Sequence, residues 1–231
     1  MQAWTIARLT VRELLRRRSV GISLVILPLA FYLARHEVSG QAVRMLVLGL
    51  GWAVATLALF TAVAGLGLDR RLRVAGYRVS ALIGGRLAAL VSVGVVLAVV
   101  YFVIVAIDQD LDRLWGIGVM MLCAITIGAV LGVVVGMLLR RELEGALILL
   151  TILATQMIAD PDGAVAKVMP FWSVRQVATY TIDEETSNYL TEGVGHGALT
   201  LLLLAIACAA VSVARLRIHP PDRYLTTSHP A

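Results

Sequence analysis

The chain has 231 residues, 59% of them apolar and 15% charged, with a formal net charge of +5 and a mean hydropathy of +0.87. A soluble domain is roughly 45–50% apolar and about 25% charged, so this composition excludes an ordinary soluble globule. Its hydrophobicity equally excludes a disordered chain, and the sequence reads as that of an integral membrane protein.

The opening stretch MQAWTIARLTVRELLRRR carries charge throughout and lacks the apolar core and small-residue cleavage site of a signal peptide. Trp4, Ala7, Val11 and Leu14 recur at helical spacing, while Arg8, Arg12 and Arg16 line another face. The pattern predicts an amphipathic helix over 1–18, lying in the membrane interface with its arginines toward anionic head groups. The plainer alternative is a positive flank that only orients the first span.

Uncharged apolar stretches follow at 19–34, 45–68, 87–107, 114–139, 145–159 and 197–214. A helical span takes about 20 residues, within a range of roughly 17–25. The second, third and fourth stretches meet this outright; the shorter first, fifth and sixth need snorkelling flanks or a locally thin bilayer. Helices are required because backbone groups in lipid must bond within their own segment, and the alternation of a barrel strand is missing.

Between the second and third spans, 69–86 interleaves Arg70, Arg71, Arg73, Arg78 and Arg86 with Leu72, Val74, Tyr77 and Val79. A plain connector needs only the charge, whereas a short surface helix that touches a partner uses both kinds of residue; Gly76 is placed to bend it. Gly128, Gly132 and Gly136 form an i, i+4, i+8 stripe that permits close helix packing, either within one subunit or at a subunit or pore-lining face. Cys123 and Cys208 sit inside apolar runs and read as small buried hydrophobes. Gln156 is the clearest strongly polar side chain within a span.

The connection 160–196 opens on Asp160-Pro161, and its Met169, Pro170, Phe171 and Trp172 are too apolar for a freely solvated loop. Aromatics of this kind anchor at membrane interfaces, which predicts short helices dipping into or lying on the outer leaflet over about 160–182. The acids Asp183, Glu184 and Glu185 then face water. Residues 215–231 form a tail.

Arginine placement sets the orientation, because cytoplasmic loops carry the positive charge. The segment before the first span, 69–86, Arg140 with Arg141, and Arg215, Arg217 and Arg223 together hold 15 basic residues. The alternate segments hold five, Arg35, Arg44, Arg113, Lys167 and Arg175, along with ten of the 15 acids. The expected fold is therefore an all-α membrane protein with six transmembrane helices in one domain over 19–214, an N-terminal amphipathic interfacial helix, and both termini cytoplasmic.

Chemistry-bearing motifs are missing. A P-loop needs a lysine after its glycine, and the only lysine is Lys167. HExxH and CxxC are absent, and His36, His196, His219 and His229 are scattered. No catalytic residue, metal or cofactor is expected, and the spans lack the ionisable groups of an ion relay. Topology already accounts for the arginines, so nucleic acid is not an expected partner.

The order of parts resembles the membrane subunit of the ABC-2 type export family, the permeases of bacterial ABC exporters. An amphipathic connecting helix, six spans with both ends inside, a coupling helix after span two and short re-entrant helices between spans five and six all have counterparts here. Within 76–86, Val79-Ser80 and Gly85-Arg86 match the family's pattern, although its proline is missing and Arg86 stands for lysine. Met169-Pro170 is similar to the family's outer Leu/Met-Pro element.

The resemblance implies a permease of the bacterial cytoplasmic membrane that forms its pathway with a second copy of itself or a related permease. Two separate ATPase subunits would drive it, and the cargo would be an amphiphilic or hydrophobic small molecule or lipid. Asp69, Arg70, Arg71, Arg73, Tyr77 and Arg78 are the expected ATPase contact; Trp4, Arg8, Val11, Arg12 and Arg16 the interfacial helix. Gln156, Met169, Pro170, Phe171 and Trp172 are the expected outer pathway or gate. The alternatives are a non-transporting membrane interaction protein or, further off, a membrane-embedded enzyme, which would need a polar cluster at one membrane depth.

Overall fold

Apolar runs that cannot leave backbone groups unpaired in lipid fold as helices, and among the described residues every regular element is one. The computed structural model describes residues 1–16, 18–38, 40–160 and 163–217, with 18–20 described by backbone alone. Arg17, Pro161, Asp162 and the tail from 218 onward, including His219, Arg223 and His229, lie outside the described residues, as does the side chain of Arg18. The helices in order are α1 (Gln2–Arg16), α2 (Arg18–Leu33), α3 (Gln41–Val74), α4 (Val79–Asp108), α5 (Leu114–Leu139), α6 (Glu142–Ile158), α7 (Ala164–Val168), α8 (Trp172–Ile182) and α9 (Ser187–Arg215).

Among the described residues, α3, α4, α5 and α9 are long and apolar enough to cross a membrane. The shorter α2 and α6, at 16 and 17 residues, extend roughly 24–26 Å at 1.5 Å per residue, just under the ~30 Å hydrocarbon core. Both run between the same two ends of the bundle as the long helices. At the arginine-rich end, the Arg78 N–H donates to Gln2 Oε1 (3.3 Å) and Arg215 Nη2 donates to the Leu138 carbonyl (2.8 Å). At the opposite, acidic end, Arg44 pairs with Asp183, and Arg113 Nη1 donates to the carbonyls of Tyr180 (2.7 Å) and Glu185 (2.9 Å). The same end ties α2 to α4 through the Tyr32 hydroxyl and His36 Nε2, both on the Asp108 carboxylate.

The centre of the bundle is α3 packed on α5. A Cβ at Gly128, Gly132 or Gly136 would stand 2.5, 2.0 or 2.7 Å from the carbonyl oxygens of Gly51, Ala55 and Leu59. The glycine stripe therefore brings two backbones together inside one subunit, which decides between the two roles its spacing allowed. Outward, α4 exposes Val96, Val99, Val100 and Val103, and α9 exposes Leu199, Leu202, Leu203 and Ile206. Apolar faces of this extent suit acyl chains and not water.

Several boundaries differ from the sequence expectation. Helix α3 begins at Gln41 and runs on to Val74, and α9 begins ten residues before the apolar stretch at 197. Polar ends of these helices project past the apolar layer, and hydropathy marks only the apolar part. Over 69–86 there is no separate surface helix. Instead α3 continues to Val74, the chain reverses over 75–78, and α4 starts at Val79. Gly76, at φ 90°, makes the reversal: its N–H reaches Arg73 O (3.0 Å) and the Tyr77 N–H reaches Leu72 O (3.0 Å), the paired bonds of a Schellman cap.

Helix α1 docks on the start of α4. It buries Ile6, Ala7 and Thr10, and Gly85 admits its backbone so closely that a Cβ there would lie 2.4 Å from Ala3 O. Only part of the expected apolar face turns inward: Ala7 is buried, Val11 half-buried, and Trp4 is 74% exposed. Close approach at Gly85 fixes the helix's rotation and points the indole away.

Candidate functional site

Helices α3, α6 and α8, with Met120 of α5 and Tyr189 of α9, line a cavity of about 400 Å³ at the acidic end. Helix α6 buries Gly145, Leu149, Leu153 and Gln156, one helical stripe, and this register carries Gln156 into the wall. The first turns of α3 supply Gln41, Arg44, Met45 and Leu48. Helix α8 and its flanks supply Phe171, Trp172, Arg175, Thr179 and Asp183. The volume lies within the roughly 300–1,000 Å³ of small-molecule sites.

The Met169–Trp172 segment, expected within short helices dipping into or lying on the outer leaflet, packs into the protein at the junction of the short helices α7 and α8. Met169 and Pro170 are half-buried in the turn between α7 and α8, and Phe171 and Trp172 are buried. The Phe171 ring sits 3.0 Å from the Cβ position of Gly51, and the Trp172 ring meets His196 edge-on at 4.9 Å. His196 in turn bonds the Lys167 carbonyl at 2.9 Å. Gly51 of α3 leaves room for the Phe171 ring, and Gly193 and Gly197 of α9 let α8 approach closely at Val177 and Ser173, which is why this segment packs inward.

The cavity's electrostatics are uneven. Arg44 pairs with Asp183, whereas Arg175 has one hydrogen bond, to the Ala159 carbonyl at 3.5 Å, and no carboxylate at salt-bridge distance among the described residues. Among the described residues, neither the oxygen nor the nitrogen of the buried Gln156 side chain has a hydrogen-bond partner, and Arg44 Nε is likewise buried without one. A buried polar group without a partner costs about 1–3 kcal/mol, so such groups at a cavity are candidate ligand contacts.

The arginine-rich end sorts the expected coupling residues into two sets. Asp69 (1% exposed) and Arg86 (5%) form a buried two-point ion pair, Nη1–Oδ2 2.8 Å and Nη2–Oδ1 2.9 Å. Arg73 Nη1 donates to Tyr77 O (2.6 Å) and its Nε to Leu216 O (3.5 Å), tying the reversal to the end of α9. These side chains are turned into the fold, and Tyr77 is half-buried. Arg70, Arg71 and Arg78 are exposed, as are Arg8, Arg12 and Arg16 on α1.

Four residues of these two regions entered the sequence reading only as charges or as part of a family pattern and not as site residues: Arg44, Arg175 and Asp183 at the cavity, and Arg86. Arg44 and Arg86 are the charges immediately flanking apolar runs, and Arg175 is a lone charge in an aromatic stretch; position alone marks them weakly. Among the described residues no three His, Cys, Asp or Glu side chains gather as a metal site. Neither a family model nor a curated relative matches the sequence. Fold and cavity define a membrane-embedded, multi-helix protein consistent with a transporter-like integral membrane component.

Proposed function

We propose that this chain is the permease subunit of an ATP-driven exporter of the ABC-2 type. It crosses the membrane six times, with the arginine-rich end in the cytoplasm and the cavity at the outer side. Two such subunits, identical or related, form the pathway, and two separate ATPase subunits drive it by alternating access. The cargo is an amphiphilic or hydrophobic molecule.

The observation that carries this reading is the reach of α3. One helix of 34 residues, roughly 50 Å long at 1.5 Å per residue, lines the cavity with Gln41 and Arg44 at one end and exposes Arg70 and Arg71 at the other. The Asp69–Arg86 pair locks α3 to α4, and Arg73 binds their hairpin to α9. A push on the exposed arginines is therefore delivered to three long helices together, and through α3 to the cavity wall.

Co-purification with a P-loop ATPase is the direct test. The triple variant R70E/R71E/R78E is expected to insert and fold normally while ATP-dependent transport falls at least tenfold, a loss equivalent to about 1.4 kcal/mol of coupling. Arg73 is left intact because its bonds hold the hairpin. Full transport in the triple variant would remove the hairpin from the coupling path.

A further inference from the structure

We infer that the cavity at the acidic end binds the anionic head group of a single-chain amphiphile, with Arg175 and Gln156 as its principal contacts. Charge is the first argument. Among the described residues the ionised side chains lining the cavity are Arg44, Arg175 and Asp183, and since Arg44 and Asp183 pair with each other, the positive charge left without a carboxylate among them is that of Arg175. A guanidinium presents a planar fork of donors matched to carboxylate or phosphate oxygens.

Hydrogen-bonding capacity is the second argument. Gln156 and Arg44 line the cavity, and the Gln156 amide and Arg44 Nε are buried without a partner among the described residues. An anion held by Arg175 would draw the Gln156 amide toward it and give that group the partner the fold leaves it without. The lining is the third. Beside its polar groups the cavity is walled by Met45, Leu48, Met157 and Phe171, so a chain attached to the head group meets apolar side chains. A small inorganic anion would leave this apolar wall unused, and a cationic amphiphile would meet the wrong charge.

As cargo, such a molecule rests on the exporter reading above; as a ligand it does not. The test uses the full chain in nanodiscs of phosphatidylcholine, titrated with dodecanoate, dodecyl phosphate, dodecyltrimethylammonium and inorganic phosphate, with binding read from the shift in thermal midpoint. Both anionic amphiphiles are expected to bind and stabilise, and the cation and inorganic phosphate to bind at least tenfold more weakly. R175Q should weaken dodecanoate about tenfold, the usual scale for a charged hydrogen bond, and D183N, which frees Arg44, should tighten it. Q156L separates binding from folding: replacing an unbonded buried amide by an apolar side chain should leave the ligand-free midpoint unchanged or higher, yet lower dodecanoate affinity. Equal binding of the cation, inorganic phosphate binding as tightly as dodecyl phosphate, or unchanged affinity in R175Q would each overturn the inference. No ATPase enters this measurement, so failed co-purification would count against the exporter reading alone.

Discussion

Asp69 illustrates how far a residue's surroundings can depart from its neighbours in sequence. It stands directly before Arg70 and Arg71, both exposed, yet its carboxylate is sealed against Arg86 across the hairpin. Removing one partner of a buried pair strands a charge and costs about 3–5 kcal/mol, whereas replacing both with apolar side chains is often neutral or better. D69N and R86M should therefore each lower stability by about that amount in a detergent unfolding titration, and D69L/R86M should recover most of it. A double-variant loss equal to the sum of the two single losses would mean that the charges are not coupled. The sequence could not reveal this pair, because which face of α3 meets α4 is decided by the rotation of two helices and not by composition. Gln156 was legible for the opposite reason. A lone amide in an apolar run is conspicuous wherever it points, although its neighbours Arg44, Arg175 and Asp183 come from distant segments and carry no shared pattern.

At the level of elements, the glycines of α5 show which spacing constrains and which merely permits. Gly132 faces a backbone oxygen of α3, with its Cβ position 2.0 Å from Ala55 O, while Gly118 on the same helix has nothing within 4 Å. A backbone cannot step aside as a flexible side chain can, so G132A must push α3 away, an overpacking cost of about 1–3 kcal/mol or more. G118A meets open space and should stabilise by up to about 1 kcal/mol through helix propensity. Parallel thermal unfolding of the two variants checks both signs; a harmless G132A would mean that α3 and α5 are not packed at this distance. The stripe was visible in the sequence, but its partner was not, since small residues serve an internal contact and a subunit contact equally well. The existence of the apolar helices was likewise legible, because length and hydropathy suffice. Their ends were not, because the polar turns at the start of α9 and the end of α3 are helical without being apolar. Helix α8 shows the same limit: aromatic content marked it as something other than a loop, and only the room beside Gly51 and Gly197 turned it inward.

For the molecule as a whole, the two ends differ in charge in a way that demands a single orientation. Arg8, Arg12, Arg70, Arg71, Arg78, Arg140 and Arg141 are exposed at one end, while Asp110, Asp112, Asp183, Glu184 and Glu185 are exposed at the other. A bilayer that retains arginine-rich segments in the cytoplasm would place Arg8, Arg71 and Arg141 inside and Glu37 and Glu185 outside. The short helices α2 and α6 are the sensitive points, because each is slightly under the hydrocarbon thickness. Single cysteines at these five positions, in a background where the free thiols Cys123 and Cys208 are replaced by alanine, resolve them separately. A membrane-impermeant maleimide should label E37C and E185C in intact cells, and R8C, R71C and R141C only in inverted vesicles. If α2 failed to cross, R8C and E37C would label from the same side; if α6 failed, R141C and E185C would. Either result would put the cavity or the arginine hairpin on the wrong face and remove the basis for coupling ATP to it. Labelling from opposite faces would instead leave α3 spanning from the ATPase side to the ligand side.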